Sequence, residues 1–427
     1  MSRKLVDRGV DWVGQVPENW DFQKGKYLFR QRNERGNKKE LQLLSPTQKY
    51  GCIPQSLYEE LTGANAVKLN EKTDLNMLKT IHVGDFCISL RSFQGGFEYS
   101  EYEGVVSPAY QVFYPIYNNV HRGYYKYMFK DGAFIDKMNS FTLSLRDGKN
   151  IAFDDFGDTF LPVPSFEEQK SISEYLDKKT SEIDAAINEA QMLIDKYKAY
   201  KQSVITEAVT KGLNPQVKLR NSDIEWIGKI PIHWGLSRME TLFVEGVQKN
   251  IFYEFDHALK FTYGALVPKN EEGDVSELKG TYLAYSIIEE DDIAINGLNL
   301  NFDFVSQRVA RCPQRGILTS AYLILKPYNK KYSRYFTYQL KSWDNQKVFH
   351  GMGKGVRLTL SFSEVKKMLM PMPPFEEQQA IADYLDDKCM QIDSIISRKE
   401  TLISQLQEYK KSIIFEYVTG KKEVPNG

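Results

Sequence analysis

Apolar residues recur every seven positions along two long stretches of this chain, and this spacing predicts two long helices. The first stretch runs from Ser165 to about Val209 without a glycine or proline, which at about 1.5 Å per residue corresponds to a helix roughly 65 Å long. Its two rows of seven-residue spacing contain Ile172, Leu176, Ile183, Ala186, Ala190, Leu193, Tyr197, Tyr200 and Val204. The matching rows of the second stretch contain Ile381, Leu385, Ile392, Ile395, Lys399, Leu402, Leu406, Tyr409 and Ile413. We expect the two helices to pair with each other, the alternative being that each packs on its own domain.

Each predicted helix follows about 140 residues of mixed character. Short apolar runs separated by Gly, Asn, Asp and Pro turns predict strands at 83–90 and 110–114, and again at 290–296 and 322–325. The first helix has a start signal, because Ser165-Phe166-Glu167-Glu168 fits a capping box in which the Glu168 carboxylate returns the bond made by Ser165. Each half of the chain therefore predicts an α+β domain followed by a long helix.

The two halves repeat the same motifs in the same order. A Trp-x-Gly-x-x-Pro-x-x-Trp segment spans Trp12–Trp20 and recurs 214 positions later at Trp226–Trp234. A Pro-x-Pro-x-Phe-Glu-Glu-Gln segment spans Pro162–Gln169 and recurs 209 positions later at Pro371–Gln378. A unit of about half the chain has therefore been duplicated. Repetition of the tryptophans in both halves favours a structural role in the core over base stacking.

The predicted fold class is α+β, with two repeated α+β domains and two long coiled-coil helices. The domains occupy residues 1–160 and 216–369, and the helices occupy 161–215 and 370–427. Because a complete domain separates the helices along the chain, we expect an antiparallel helix pair with pseudo-twofold symmetry and the domains at its opposite ends.

Composition excludes several classes of protein. Of 427 residues, 42% are hydrophobic and 13% aromatic, which is typical of globular domains. The first residues are charged and no run of about 18 apolar residues occurs, so we expect a soluble, cytoplasmic protein. Cys52, Cys87, Cys312 and Cys389 are scattered singly, which indicates buried thiols rather than a zinc site or a disulfide framework. A formal net charge of zero argues against indiscriminate polyanion binding.

Short segments that resemble catalytic motifs each lack a required residue. Met372-Pro373-Pro374-Phe375 lacks the Asp or Asn that accepts an adenine amino proton in methylases. The glycine-rich segment 351–355 lacks the βαβ context of a nucleotide-binding loop, and the five histidines form no metal or nucleophile pattern. The chain is therefore predicted to be non-catalytic, with no metal and no cofactor of its own.

The repeated motifs resemble those of the specificity (S) subunits of type I restriction-modification systems, and the resemblance covers the whole chain. It rests on the duplicated segments Trp12–Trp20 and Trp226–Trp234 and on the duplicated helix starts. It implies that the two α+β domains are target-recognition domains and that the long helices are the family's conserved regions. It also implies a subunit that reads a bipartite, asymmetric site in double-stranded DNA, with one half-site per domain.

The resemblance further implies partner chains. Two modification (methyltransferase, M) subunits would carry S-adenosylmethionine and methylate adenine N6, and restriction (R) subunits would use ATP and Mg to translocate and cleave DNA in phage defence. If both domains work from one face of the duplex, the half-site centres lie about 34 Å apart, one helical turn. The alternative is a coiled-coil adaptor that binds only proteins and has no base-specific DNA reading.

Candidate DNA-binding residues lie in loops that contain guanidinium and amide groups, which phosphates and base edges accept as partners. In the first domain they are Arg30, Arg32 and Lys38 in a basic loop, Arg91, Ser92 and Gln94 in a glycine loop, and Arg146, Lys149 and Asn150 before the helix. In the second domain they are Asn296, Asn299 and Asn301 after a strand, and Lys354 and Arg357 before the second helix. For each loop the alternative is a solvated turn. The exchange of arginine for asparagine between the equivalent glycine loops is expected of domains with different base preferences.

On the helices, the resemblance implies that M subunits dock on exposed faces. The residues expected there are Glu167, Gln169, Tyr175, Glu376, Gln378 and Tyr384. From the residues alone, a solvated helix face explains the same pattern equally well.

Overall fold

The structure is a computed structural model that describes residues 3–36, 41–64, 75–89, 96–141, 151, 153–269, 275–300, 307–353 and 358–425. The chain divides into two compact units. Unit 1 comprises Met1–Ala190 and Thr401–Gly427, and unit 2 comprises Gln191–Glu400. Each unit therefore contains one domain, the first part of one long helix and the last part of the other.

Unit 1 is built from short strands and helices that precede a long helix. Its strands are β1 (Leu5–Asp7), β2 (Gln15–Pro17), β3 (Asp21–Lys24), β4 (Phe29–Arg32), β5 (Leu44–Thr47), β6 (Gly51–Pro54), β7 (Lys79–Ile81), β8 (Phe86–Ser89), β9 (Phe97–Tyr99), β10 (Gly104–Val106), β11 (Tyr110–Pro115) and β12 (Phe160–Val163). Its helices are α1 (Gly25–Leu28), α2 (Gln55–Thr62), α3 (Arg122–Met128), α4 (Gly132–Ser140), α5 (Phe153–Asp158) and the first part of α6 (Phe166–Lys211). The strands form an antiparallel four-stranded sheet, β4-β11-β8-β9, and the pairs β1-β2, β3-β12, β5-β6 and β7-β10.

Unit 2 has the same succession of strands. Its strands are β13 (Leu219–Asn221), β14 (Lys229–Pro231), β15 (Gly235–Arg238), β16 (Phe243–Glu245), β17 (Leu259–Thr262), β18 (Ala265–Pro268), β19 (Ser286–Ile288), β20 (Ile293–Ile295), β21 (Val309–Arg311), β22 (Gly316–Leu318), β23 (Leu323–Pro327) and β24 (Leu369–Met372). Its helices are α7 (Met239–Leu242), α8 (Val275–Leu283), α9 (Ser333–Asn345), α10 (Phe362–Val365) and the first part of α11 (Phe375–Val418). The sheet β16-β23-β20-β21 and the pairs β13-β14, β15-β24, β17-β18 and β19-β22 complete it.

Strand order and pairing are the same in the two units. Each of β1 to β12 has its counterpart, in order, among β13 to β24, and every pairing of unit 1 recurs in unit 2. The predicted strands are found as β8, β11, β20 and β23. The α+β class, the two repeated domains and the long helices predicted from the sequence are therefore confirmed.

In unit 1 the two long helices run antiparallel. Lys410 Nζ of α11 lies 2.6 Å from Asp184 Oδ2 of α6. Further along, the ring of Tyr417 on α11 contacts that of Tyr175 on α6. Residue numbers thus rise along one helix as they fall along the other, and the predicted pairing of the helices is confirmed within this unit.

Unit 2 contains the equivalent helix pair. Lys201 Nζ lies 2.6 Å from Asp393 Oδ2, at positions that match Asp184 and Lys410 of unit 1 with the partners reversed. Gly212 comes directly after α6 and packs closely against α11. A Cβ added at Gly212 would lie 2.8 Å from Glu377 Oε1. The helices are antiparallel here as well.

The predicted seven-residue row is buried at Leu176, Ile183 and Ala190, and a second buried row recurs every eleven residues. Ile172, Ile183, Ile194 and Ile205 are all buried on α6. Their counterparts on α11 are Ile381, Ile392, Ile403 and Ile414, of which three are buried and Ile403 is half-buried. The predicted second row is wrong at Ala186, Tyr200, Leu402 and Tyr409, which are exposed. Eleven residues make three turns of about 3.67 residues, close to the 3.6 of an α-helix, so one face stays buried where a strict seven-residue row drifts off it.

The two repeated motifs contact each other, which explains why both occur in each half. Trp20 Nε1 donates to Glu168 Oε2 at 3.0 Å, and Trp234 Nε1 donates to Glu377 Oε2 at the same distance. Trp20 and Trp234 are buried, as the core-packing interpretation predicts. The capping box is only half confirmed: Ser165 Oγ accepts the backbone N–H of Glu168, but the Glu168 carboxylate faces Trp20 and does not serve as the expected reciprocal cap.

Tyrosine hydroxyls fix the end of a long helix to each domain. Tyr124 Oη of unit 1 donates to the carbonyl of Val418 at 2.7 Å, and Tyr335 Oη of unit 2 donates to that of Val209 at 3.3 Å. Both tyrosines and both valines are buried. The last turns of the helices are thus part of the domain cores.

The four cysteines are buried, as predicted. Two of them are not isolated, however, because Cys52 Sγ of β6 lies 3.1 Å from Cys87 Sγ of β8. Burial, with the neighbouring thiol, raises the pKa of Cys52 well above its ordinary value. The fold thus brings together in the core two cysteines that lie 35 positions apart in the sequence.

Candidate nucleic-acid interface

One loop predicted to bind DNA packs against the segment before α10 in unit 2. The loop follows β20 and contains Asn296 and Asn299, and the segment contains Leu358 and Leu360. The backbone N–H of Leu360 donates to the carbonyl of Gly297 at 2.9 Å, and that of Leu300 donates to Leu358 at 3.4 Å. A Cβ at Gly297 would lie 2.6 Å from that of Leu360, so this position requires glycine for close packing. These contacts fix the loop after β20 to the segment that contains Leu358 and Leu360.

Arg308 holds the first of these loops in place. Its Nη1 donates to the carbonyls of Asn296 at 2.9 Å and Leu298 at 2.6 Å, and its Nη2 donates to that of Asn299 at 3.3 Å. Its backbone N–H donates to the buried Asp344 Oδ2 at 2.8 Å. One guanidinium thus fixes three backbone carbonyls of this loop, which is the preorganisation that a recognition loop requires.

The two candidate asparagines of this loop differ in what they offer a ligand. Asn296 is half-buried and its Oδ1 accepts the backbone N–H of Leu298, an Asx turn that uses this oxygen locally. Asn299 is exposed and has a φ of 52°, a left-handed conformation that asparagine tolerates better than most residues. Asn299 therefore presents its amide to solvent beside a buried anchor, Leu300.

The basic segment at Arg30–Arg32 is a strand in the structure, and its prediction as a loop is wrong there. Arg32 pairs with the buried Asp85, whose Oδ2 lies 2.7 Å from Arg32 Nε, and its guanidinium lies 4.4 Å from the Tyr114 ring centroid. These contacts commit Arg32 to the domain interior. Arg30 lies two residues earlier on the same face of the strand and is exposed.

The remaining candidates of this set lie outside the described residues. They are Lys38, Arg91, Ser92, Gln94, Arg146, Lys149, Asn150, Asn301, Lys354 and Arg357. They stay predictions from the sequence.

At the helix starts, the predicted exposure of Gln169 and Gln378 is wrong. Gln169 Oε1 accepts the backbone N–H of His121 at 2.8 Å, and its Nε2 donates to the Pro164 carbonyl at 2.9 Å. Gln378 Nε2 makes the equivalent bond to Pro373. Both side chains are buried, because the glutamine of each motif closes the turn that begins the helix. A buried amide with these bonds is unavailable to a docking partner.

The other four residues expected at the M-subunit surface keep some exposure. Glu167 and Glu376 are exposed, Tyr384 is exposed over 40% of its surface, and Tyr175 is half-buried against Tyr417. The two tyrosines, which occupy equivalent positions, thus have different surroundings.

A buried aspartate occupies the same turn in both units. Asp85 Oδ2 accepts the backbone N–H of His82, and Asp292 Oδ2 accepts that of Glu289. Burial raises the pKa of Asp292, while Lys326 lies 3.9 Å from its carboxylate. These acids organise the turn before the central strand and have no free face for a substrate.

Unit 2 also exposes aromatic residues that sequence reasoning missed. Phe252 and Tyr263 are exposed over 79% and 88% of their surfaces. The loop that contains Phe252 is held by buried Asn250, whose Nδ2 donates to the Phe255 carbonyl at 2.7 Å. Tyr263 and Gly264 both have positive φ and form the tight turn of the β17–β18 hairpin. The Tyr-Gly dipeptide between two apolar runs is the signal that would have indicated this turn.

Among the described residues, no group of His, Cys, Asp and Glu side chains is arranged to hold a metal ion. None of the described helices combines the length and apolar character needed to span a bilayer. The surface described above is thus one of amide, guanidinium and aromatic groups, which are the groups that bind nucleic acid.

Residues 17–190 match the model of a family described as the type I restriction modification DNA specificity domain. Over this range the chain is similar to the type I restriction modification DNA specificity domain. The resemblance predicted from the duplicated motifs is confirmed, and the matched range covers most of the first domain and the first part of α6.

Two curated specificity subunits are similar to the chain. The putative type I restriction enzyme MjaX specificity subunit of Methanocaldococcus jannaschii is 24% identical over 272 residues, which are 62% of this chain and 59% of the relative. The type I restriction enzyme EcoBI specificity subunit of Escherichia coli is 23% identical over 303 residues, 64% of this chain and 60% of the relative. The aligned part thus spans about three fifths of the length of these relatives.

Solved structures share the fold of the specificity domain and its helices. A chain from a study of complex assembly and conformational transition of the type I R-M system aligns with a TM-score of 0.70 at 11% identity, over 95% of this chain and 99% of that one. The HsdS subunit of Thermoanaerobacter tengcongensis aligns with a TM-score of 0.50 at 12% identity, over 95% and 98%. At these identities the likeness concerns the fold.

Proposed function

We propose that this chain is the DNA sequence-specificity subunit of a type I restriction-modification complex and that it reads a bipartite, asymmetric site, one half-site per domain. The observation that carries the proposal is the duplication of one strand order and pairing in two units whose surface loops differ in sequence. A conserved framework with different loops is what two readers of different sequences require. The specificity domain in residues 17–190 supports the same role.

The chain itself is non-catalytic in this proposal. Two M subunits supply S-adenosylmethionine and methylate adenine N6, and R subunits supply ATP hydrolysis, with Mg, and cleavage. The adenine-methylase tetrapeptide is missing its Asp or Asn at Met372, which supports this division of work.

Base reading in the second domain is assigned to Asn299. Its amide is exposed, and an amide can bond bidentately to adenine N6 and N7. Arg308 fixes the backbone around Asn299, because its guanidinium donates to the carbonyls of Asn296, Leu298 and Asn299. In the first domain Arg91 and Gln94 remain the proposed readers on the sequence evidence, and the exposed Arg30 is the proposed phosphate contact.

Docking of the M subunits is assigned to the helix starts, at Glu167, Tyr175, Glu376 and Tyr384. The acidic residues of each first helical turn are exposed. Gln169 and Gln378 are excluded from this surface by their burial.

The deciding experiment is co-expression of the chain with its cognate M subunit in a methylation-free host, with N6-methyladenine mapped genome-wide. We expect a two-part asymmetric motif with an unread spacer. Asn299→Ala should relax one half-site and leave the other intact, and the matched exposed variant Asn221→Ala, on β13, should leave both unchanged. A single continuous motif would contradict the two-reader proposal, and an assembled complex without methylation would favour the adaptor alternative.

A further inference from the structure

Unit 1 buries a tyrosine pair between its two long helices. The rings of Tyr175 on α6 and Tyr417 on α11 have centroids 4.5 Å apart and an interplanar angle of 41°. Their hydroxyl oxygens lie 3.2 Å apart. Tyr417 is buried and belongs to the core of the unit. An aromatic side chain therefore fills the space beside Tyr175.

The repeat places an alanine where the second tyrosine would stand in unit 2. The offset of 209 residues that relates the helix starts maps Tyr175 onto Tyr384 and Tyr417 onto Ala208. The same offset relates Val209 to Val418, whose carbonyls accept equivalent tyrosine hydroxyls in the two units. The correspondence therefore holds at the helix ends, where the difference occurs.

A groove of about 740 Å³ lies at this position in unit 2. Its apolar lining comprises Tyr200, Val204, Ala208, Leu213, Leu219 and Tyr384. Tyr384 is exposed over 40% of its surface, and among the ring contacts of the described residues it has no aromatic partner. The groove is thus an aromatic site with one of its two rings missing.

The charge at the rim favours a neutral ring over a charged group. Glu207 and Lys211 both line the groove and pair with each other, with Nζ 3.2 Å from Oε1. Because the two charges offset each other, an uncharged phenol can enter the groove without leaving either charge without its partner. The Tyr384 hydroxyl offers it the hydrogen-bond partner that Tyr175 offers Tyr417.

We infer that the groove of unit 2 binds a tyrosine side chain presented by an M subunit. This inference rests on the proposed function, because Tyr384 lies about two turns along α11 from Glu376, where M-subunit docking is assigned. In unit 1 the equivalent groove is filled by the chain's own Tyr417. The two M-subunit sites are therefore not equivalent: one accepts an aromatic anchor and the other presents a closed surface.

The test uses one variant that fills the groove of unit 2 and another that empties the equivalent position in unit 1. Ala208→Tyr restores the missing ring in unit 2, and Tyr417→Ala removes its counterpart in unit 1. Binding of the purified M subunit to the full-length chain is measured by calorimetry, and binding of 4-methylphenol, the side chain of tyrosine, by saturation-transfer NMR. We expect Ala208→Tyr to weaken one of the two M-binding steps at least tenfold and to abolish the 4-methylphenol signal. Tyr417→Ala should increase that signal.

Each outcome decides the matter. Unchanged M binding by a folded Ala208→Tyr chain, or equal 4-methylphenol signals in all variants, would overturn the inference. Absence of M binding by the unmodified chain would instead contradict the proposed function, and the 4-methylphenol result would still report on the groove. Ala208→Leu, a smaller filling residue, provides a second variant if Ala208→Tyr does not fold, and it should also weaken the same step.

Discussion

Arg32 and Asp85 form a two-point ion pair in unit 1, with Nε 2.7 Å from Oδ2 and Nη2 3.1 Å from Oδ1. Asp85 is buried, and its Oδ2 also accepts the backbone N–H of His82. The guanidinium therefore compensates a buried charge and links β4 to the turn before β8. Arg30, two residues earlier on the same face of β4, is exposed.

Substitution should separate these two arginines. Arg32→Ala leaves the Asp85 carboxylate buried without its cation and should lower the free energy of unfolding by about 3 kcal/mol. Arg30→Ala should change stability by less than about 0.5 kcal/mol and weaken DNA binding by the assembled complex. Urea denaturation measures the change in stability of each variant, and fluorescence-anisotropy titration measures its DNA binding. A stable Arg32→Ala chain with weakened DNA binding would reverse the assignments.

Arg308→Ala should loosen the loop that carries Asn299. The change removes three hydrogen bonds to backbone carbonyls, so hydrogen exchange at residues 296–300 should accelerate. Under the proposed function it should also reduce discrimination at one half-site by roughly tenfold, by allowing the amide of Asn299 more than one orientation. Arg238→Ala, at an exposed arginine of the same unit, provides the control. Equal exchange rates in both variants would show that the clamp is dispensable.

Gln169→Ala and Glu167→Ala should behave differently although they lie two positions apart. Loss of Gln169 removes bonds to His121 and Pro164, and we expect a loss of about 2 kcal/mol in the free energy of unfolding. Loss of the exposed Glu167 should cost less than about 0.5 kcal/mol and weaken M-subunit binding. Urea midpoints and a pull-down with the M subunit distinguish them. Equal midpoints would contradict the structural role of the glutamine.

Acid should destabilise unit 1 through His121. Burial lowers the pKa of His121 below its ordinary value of 6.5; among nearby charges Glu174 and Asp177 act to raise it and Lys170 to lower it. The unfolded chain therefore binds a proton at a higher pH than the folded chain does, and stability is lost as pH falls through about 6.5. His121→Asn keeps an acceptor for the Tyr124 N–H and removes the titration. Urea unfolding at about pH 7.5 and 5.5 should show a smaller change for the variant, and identical changes would exclude His121 as the cause.

Much of the fold is predictable from the sequence because duplication marks its boundaries twice. The tryptophan and Phe-Glu-Glu-Gln segments identify the domain entry and the helix start, and the hydrogen bond between Trp20 and Glu168 shows why they occur together. Part of the second row of the helices is predicted wrongly, because seven-residue and eleven-residue rows share members such as Ile183. Only burial along the whole helix separates the two spacings.

The candidate site is less predictable, because side-chain roles depend on long-range pairing. Arg32 resembles a DNA contact in the sequence, and its partner Asp85 lies 53 positions away. Arg308 is identifiable only once Ile295 is paired with Val309, which sets it opposite Asn296. Local composition indicates which loops are polar, but not which polar groups are already bonded within the domain.

The core of unit 1 contains residues from both ends of the chain, since Ile413, Ile414, Tyr417 and Val418 pack with Trp20 and Tyr124. The core of unit 2 needs nothing beyond Glu400. During synthesis, unit 2 can therefore complete its core before unit 1 does. The core of unit 1 stays incomplete until the last part of α11 has been synthesised. A nonsense mutation near residue 405 would thus remove part of the core of the domain at residues 1–160.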